Sequence, residues 1–100
     1  MSIDEGFPKR AGSMAWQTID GETVLLNIEA RQLLGVNEVA ARVWALCDGT
    51  RSVREIVVEI AREFTVDEAV ALKDVRAFLE ELRAAGAIES DPERDPDRVP

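Results

Sequence analysis

Few side chains in this 100-residue chain can carry bond-making chemistry. It has no histidine, which removes the commonest general base and the commonest metal ligand. It has no tyrosine. Its one cysteine, Cys47, has no second thiol with which to form an internal disulfide or a multi-thiolate zinc site. Cys47 falls near the expected C-terminus of a helix, where the macrodipole disfavours a thiolate. It reads as a small apolar core residue. The carboxylates Asp67, Glu68 and Asp74 lack both a glycine-spaced calcium loop and a histidine partner. Asp67 reads as part of a helix start. Asp74 has two readings: a solvated helix face, or an anchor for a basic or amide group of a partner. The expectation is a binding domain with no catalytic residue, no metal and no cofactor.

Composition supports that reading. Hydrophobic residues make up 46% of the chain and charged residues 32%, which suits one soluble domain with one core. No apolar run approaches the roughly 20 residues of a membrane span. Met1 to Arg10 holds no basic region followed by an apolar stretch, so a signal peptide is not expected and a cytoplasmic location is. The net charge of −8 repels nucleic acid and anionic lipid. Neither is expected as a partner.

The elements that must position a binding surface follow from local pattern. Residues 1–13, punctuated by Gly6, Pro8 and Gly12, read as a flexible arm, although Phe7-Pro8 has the character to pack on the domain. Two β-type runs, 15–19 and 22–27, flank Asp20-Gly21. That dipeptide suits a type I′ hairpin turn, whose two central residues need positive φ. A third run, Gln32–Val36, completes a meander. Asn37 caps a first helix carrying Val39, Ala40, Val43, Trp44 and Cys47, which Asp48-Gly49 closes. Ser52-Val53-Arg54-Glu55 fits a capping box and opens a second helix with Val53, Ile56, Val57, Ile60, Ala61 and Phe64 on one face. A third helix begins around Thr65–Glu68, carries Val70, Ala71, Leu72, Val75, Phe78, Leu79 and Leu82, and ends at Gly86. Ala87–Glu89 is a short extended exit. Residues 90–100 are charged and proline-rich, and read as a disordered tail. The fold class is therefore α+β and winged-helix-like: a three-stranded antiparallel sheet followed by a three-helix bundle, over a domain at 14–89. Val24, Leu26, Val39, Val43, Trp44, Ile56, Ile60, Val75 and Leu82 are the expected core. Trp16 suits either the core or a half-exposed place beside a binding surface.

Two binding functions suit such a fold. One is a small helix-turn-helix transcriptional regulator. From Asp67 to Ala85 the third helix holds Lys73, Arg76 and Arg83 against Asp67, Glu68, Asp74, Glu80 and Glu81, an acidic balance that disfavours DNA. The other is capture of an extended peptide on the edge of the third strand, at Leu33, Leu34, Gly35 and Val36. Val75, Phe78, Leu79 and Leu82 would form the facing wall, with Lys73, Arg76 and Arg83 on the rim meeting acidic peptide residues. An edge of this kind also allows a monomer to form a weak or strand-exchanged dimer.

The stretches Glu22–Asn27, Gly35–Trp44, Cys47–Val53 and Ile56-Val57, followed by Asp74-Val75, Phe78-Leu79, Leu82 and Gly86–Ile88, resemble the coenzyme PQQ synthesis protein D (PqqD-like) family in order and spacing. The resemblance runs from about Trp16 to Glu89. It implies a RiPP recognition element: a domain that holds the leader of a ribosomally made precursor peptide and presents it to a modifying enzyme, often a radical SAM enzyme. It further implies that the leader lies as an added strand between the third strand and the third helix. Ala30, Leu33 and Leu34 stand where many relatives have glycine and an aromatic residue. The stretch 25–30 lacks the proline and glycine of the PQQ-making members. The resemblance is thus to the broad family, and implies a precursor from the PQQ pathway or from another.

Overall fold

The structure is a computed structural model that describes residues 6–90. Eight elements follow in order: β1 (Pro8–Arg10), β2 (Met14–Ile19), β3 (Glu22–Asn27), β4 (Gln32–Val36), α1 (Glu38–Leu46), α2 (Val53–Phe64), α3 (Glu68–Ala84) and β5 (Ile88–Ser90). The meander β2-β3-β4 and the three helices after it are as the sequence pattern predicts. Asp20 and Gly21 both take positive φ, at 52° and 82°, as a type I′ turn requires.

Each helix end has a local cause. The Asn37 side chain accepts from the Ala40 N–H at 2.8 Å. The Ser52 hydroxyl accepts from the Glu55 N–H at 3.1 Å while the Glu55 carboxylate accepts from the Ser52 N–H at 2.9 Å, closing the predicted capping box. α3 ends in a Schellman arrangement around Gly86, whose φ is +69°. Gly86 N–H donates to the Arg83 carbonyl and Ala87 N–H to the Leu82 carbonyl, at 3.0 and 2.8 Å.

Three expectations need correction. Residues 8–13 are not a loose arm. β1 pairs antiparallel with β5, Pro8 is buried, and the Arg10 and Ala11 N–H groups donate to the carbonyls of Cys47 and Ala87. The two short segments satisfy each other's backbone groups across about 80 residues of sequence, which no local pattern reveals. Residues 1–5 of the expected arm, and 91–100 of the expected tail, lie outside the described residues. Gly49 is not the cap of α1, which ends at Leu46 with Cys47 following. Its φ of +83° instead makes a turn beneath β1, where its N–H donates to the Pro8 carbonyl and an added Cβ would lie 3.4 Å from Lys9.

The third correction concerns β3. Its inward residues are Thr23, Leu25 and Asn27, while Val24 is 38% exposed and Leu26 only half-buried. The polar inward groups are satisfied. Thr23 and Thr18 hydroxyls lie 2.8 Å apart, and the Asn27 amide donates to the Ala85 carbonyl at 2.8 Å while its oxygen accepts from the Ala30 N–H at 3.1 Å. Asn27 thereby ties the sheet to the end of α3. The core is built from Leu25, Val43, Trp44, Leu46, Val53, Ile56, Ile60, Val75, Leu79 and Leu82, with Val39 packed at its border. Among the described residues no helix is long and apolar enough to cross a membrane.

Candidate peptide-binding site

β4 is an edge strand. Among the described residues it pairs only with β3, through Thr23↔Val36, Val24↔Gly35, Leu25↔Leu34, Leu26↔Leu33 and Asn27↔Gln32. Its other edge leaves backbone donors and acceptors for an added strand. That edge opens onto a cleft of about 530 Å³ lined by Leu33 and Leu34 of β4, Met14, Leu25 and Asn27 of the neighbouring strands, and Glu81, Ala84 and Ala85 of α3. A second cleft, of about 290 Å³, continues along α3 toward α1. Asp74, Ala77, Phe78 and Glu81 line it from α3, and Asn37, Val39, Ala40 and Val43 from the start of α1. Glu81 borders both, so the two form one groove along α3, facing β4 at one end and the start of α1 at the other.

The helix wall differs from the one the sequence suggests. Val75, Leu79 and Leu82 are fully buried in the core and cannot touch a docked peptide. The apolar stripe that defines α3 as amphipathic is spent on packing inside the domain. Phe78 alone of the four borders the groove, at 7% exposure. The groove wall is the adjacent stripe, Asp74, Ala77, Glu81, Ala84 and Ala85, at helical spacing. Its small side chains are what leave the space. Among the sequence-nominated strand residues, Leu33 is 72% exposed, Leu34 and Val36 are half-buried and Gly35 is exposed.

The charge also differs. Lys73, Arg76 and Arg83 are exposed on α3 but line neither cleft, and Arg83 reaches Glu80 at 3.3 Å. The charged residues lining the groove are Asp74 and Glu81. The groove is therefore lined by acidic side chains, not the basic ones expected, with Glu81 nearest β4 and Asp74 nearest α1. Glu81 and the three alanines carried no signal of their own in the sequence. What marks them is small residues at 77 and 84 and carboxylates at 74 and 81, both pairs two helical turns apart on one face.

Cys47 is buried, and burial pushes its thiol up to about 12, away from nucleophilic use. Among the described residues no group of three His, Cys, Asp or Glu side chains is placed to hold a metal ion. Trp44 is buried and Trp16, 49% exposed, packs edge-on against it with centroids 5.4 Å apart.

A small sheet whose edge strand β4 lies beside a groove along α3 has the geometry of a domain that can accept an added strand. Comparison with known proteins agrees: residues 22–88 match the family described as Coenzyme PQQ synthesis protein D (PqqD), and the chain belongs to that family. It is 36% identical over 55 residues to the PqqA binding protein of Rhodopseudomonas palustris strain BisB5, a match covering 55% of this chain. It spans about half of that curated relative, 54% of its length. Among solved structures it resembles TbiB1 in complex with the TbiA(beta) leader peptide, at 31% identity and a TM-score of 0.73, over 81% of this chain and 94% of that one. The PqqD truncation of Methylobacterium extorquens PqqCD, a stand-alone RiPP recognition element, shares the fold at 20% identity and a TM-score of 0.70, over 89% and 99% of the two chains.

Proposed function

We propose that this chain binds the leader segment of a ribosomally made precursor peptide and presents it to a modifying enzyme. The observation that carries the reading is the unpaired edge of β4 facing the groove along α3. The leader adds as a strand to β4, and side chains alternating along it drop into the groove. Backbone pairing supplies affinity in any sequence, whereas the shape of the groove supplies register and selectivity. The chain is a cytoplasmic scaffold without turnover of its own, and the partner enzyme, such as a radical SAM enzyme, performs the chemistry. Membership of the PqqD family and likeness to TbiB1, solved with a leader peptide, support this role. The PQQ precursor and the precursor of another modified peptide both fit it.

The test is calorimetric titration with a synthetic leader from the precursor encoded beside this chain, paired with a modification assay on the neighbouring enzyme. Saturable binding, and modification that depends on the chain, are expected. Absence of binding at about 100 μM peptide, well above ordinary peptide-recognition affinities, contradicts the reading.

A further inference from the structure

The chemistry of the groove goes further than its shape. Asp74 and Glu81 are its charged lining residues, and neither carboxylate has a hydrogen-bond or ion-pair partner among the described residues. Four other carboxylates of the helical part are engaged, Glu63 with Arg42, Glu59 with Arg62, Glu80 with Arg83 and Asp48 with Arg51, while the exposed Glu38, Asp67 and Glu68 lie outside the groove. The two groove carboxylates stand seven residues apart on α3, two turns or about 10 Å along the groove. Between them lie Ala77 and Phe78, an apolar floor.

A floor of methyl and ring carbons ending in a carboxylate matches one kind of side chain. A lysine or arginine lays its methylene stem on apolar surface and carries its charge to the rim. An acidic side chain at that place would meet two like charges, and a purely apolar one would leave both carboxylates facing a less polar neighbour. Resting on the leader-binding reading above, we propose that the groove selects an extended peptide segment bearing a lysine or arginine at a position facing α3 between Asp74 and Glu81. The groove from Asp74 to Ala85 is about 16 Å long, enough for roughly five residues of strand. The recognised segment is therefore short, with large apolar side chains over Ala84 and Ala85 and the basic one nearer α1. The net charge of the whole chain would favour basic peptides weakly everywhere. The groove adds a preference at one register position.

The experiment is selection of displayed random peptides of about ten residues, twice the groove span, against the full chain. It is repeated on Glu81→Lys, on Asp74→Asn/Glu81→Gln and on Glu22→Gln, an exposed carboxylate at the start of β3, outside the groove. The expected result is lysine or arginine enriched at one position of the wild-type binders. That enrichment should vanish in the double variant, turn toward acidic residues in Glu81→Lys and persist in Glu22→Gln. A selected wild-type binder should lose about five- to tenfold in affinity for Glu81→Lys, the size expected when an exposed attraction becomes a repulsion. Binders that perturb β4 and α3 amide signals yet show no positional basic preference overturn this inference and leave the leader site standing. A basic preference that also falls in Glu22→Gln assigns it to net charge and overturns the inference as well. Binders that perturb neither β4 nor α3, or no binders at all, overturn both.

Discussion

The two edges of the three-stranded sheet are finished differently. Beside β2, polar groups are already used. Arg10 donates to the carbonyls of Trp44 and Ala45, both at 3.0 Å, and its guanidinium lies 5.1 Å over the Trp16 ring and 6.0 Å from that of Trp44. Arg42 holds both oxygens of Glu63 at 2.8 and 3.0 Å. Beside β4 the backbone edge is open, the helix facing it presents alanines, and the two carboxylates there have no partner among the described residues. Both outer strands lack a second backbone partner among the described residues; what differs is that the charged side chains beside β2 are engaged within the domain, whereas the two carboxylates near β4 are not. In a domain of this size, that contrast separates stability from recognition more sharply than burial does.

The largest expected effects lie in the core that both edges share. Leu82→Ala, at a fully buried position of α3, should cost about 2–5 kcal/mol in denaturant unfolding. Peptide binding should fall only in proportion to the unfolded fraction. Arg10→Ala removes the engaged side chain beside β2. A loss of about 1–3 kcal/mol of stability is expected from two charge-assisted hydrogen bonds and the ring contact, with leader affinity held within about twofold. Equal loss of affinity would erase the proposed division between the edges.

Proline substitutions sharpen the comparison at β4. Successive residues of a strand point their N–H groups to opposite sides, so of Leu33 and Leu34 one donates toward β3 and the other toward the open edge. Leu33→Pro and Leu34→Pro should therefore behave oppositely. One loses stability through the broken ladder. The other keeps more of its stability and loses leader binding by roughly tenfold, the worth of one backbone hydrogen bond and the strand fit around it. Equal effects of the two on binding would contradict strand addition at this edge.

The smallest effects come from pH. Thr50 holds Asp48, Ser52 holds Glu55 and Arg42 holds Glu63 below the usual carboxylate range through hydrogen bonds to each carboxylate. A carboxyl lowered in the fold contributes stability above its unfolded value, and that contribution fades as pH falls through the folded value. Thermal stability should thus hold above about pH 5 and decline gradually below about pH 4. Cys47 runs the other way. Its thiol is raised to about 12, so its contribution is complete below the unfolded value and declines as pH rises beyond it toward 12. In native protein at neutral pH it should resist thiol reagents that modify it at once in denaturant.

Caps, turns and helix stripes were legible because their causes are local: Asn37, Ser52 with Glu55, Asp20-Gly21 and Gly86 each act within a few residues. The family was legible too. Three things were not. The inward side of β3 was undecidable because Thr-Val-Leu-Leu-Asn puts apolar residues on both faces. The deciding bond, from Asn27 to Ala85, spans 58 residues. The β1–β5 pairing depends on a partner at the far end of the domain. The groove wall was misplaced because the strongest apolar stripe of α3, Val75, Leu79 and Leu82, is the one a small domain needs for its own core. The groove proposed as the site is lined by the weaker neighbouring stripe, whose alanines and acids have no hydrophobic pattern.

The central claim, that β4 accepts a leader strand, is tested most directly by NMR on the full chain bound to an isotope-labelled leader peptide. The account predicts intermolecular backbone contacts between the leader and residues 32–36, side-chain contacts to Ala77, Glu81, Ala84 and Ala85, and little change at Arg10 and Trp16. Backbone contacts to β2 in place of β4, or leader contacts confined to the outer face around Ile19 and Val24, would contradict it.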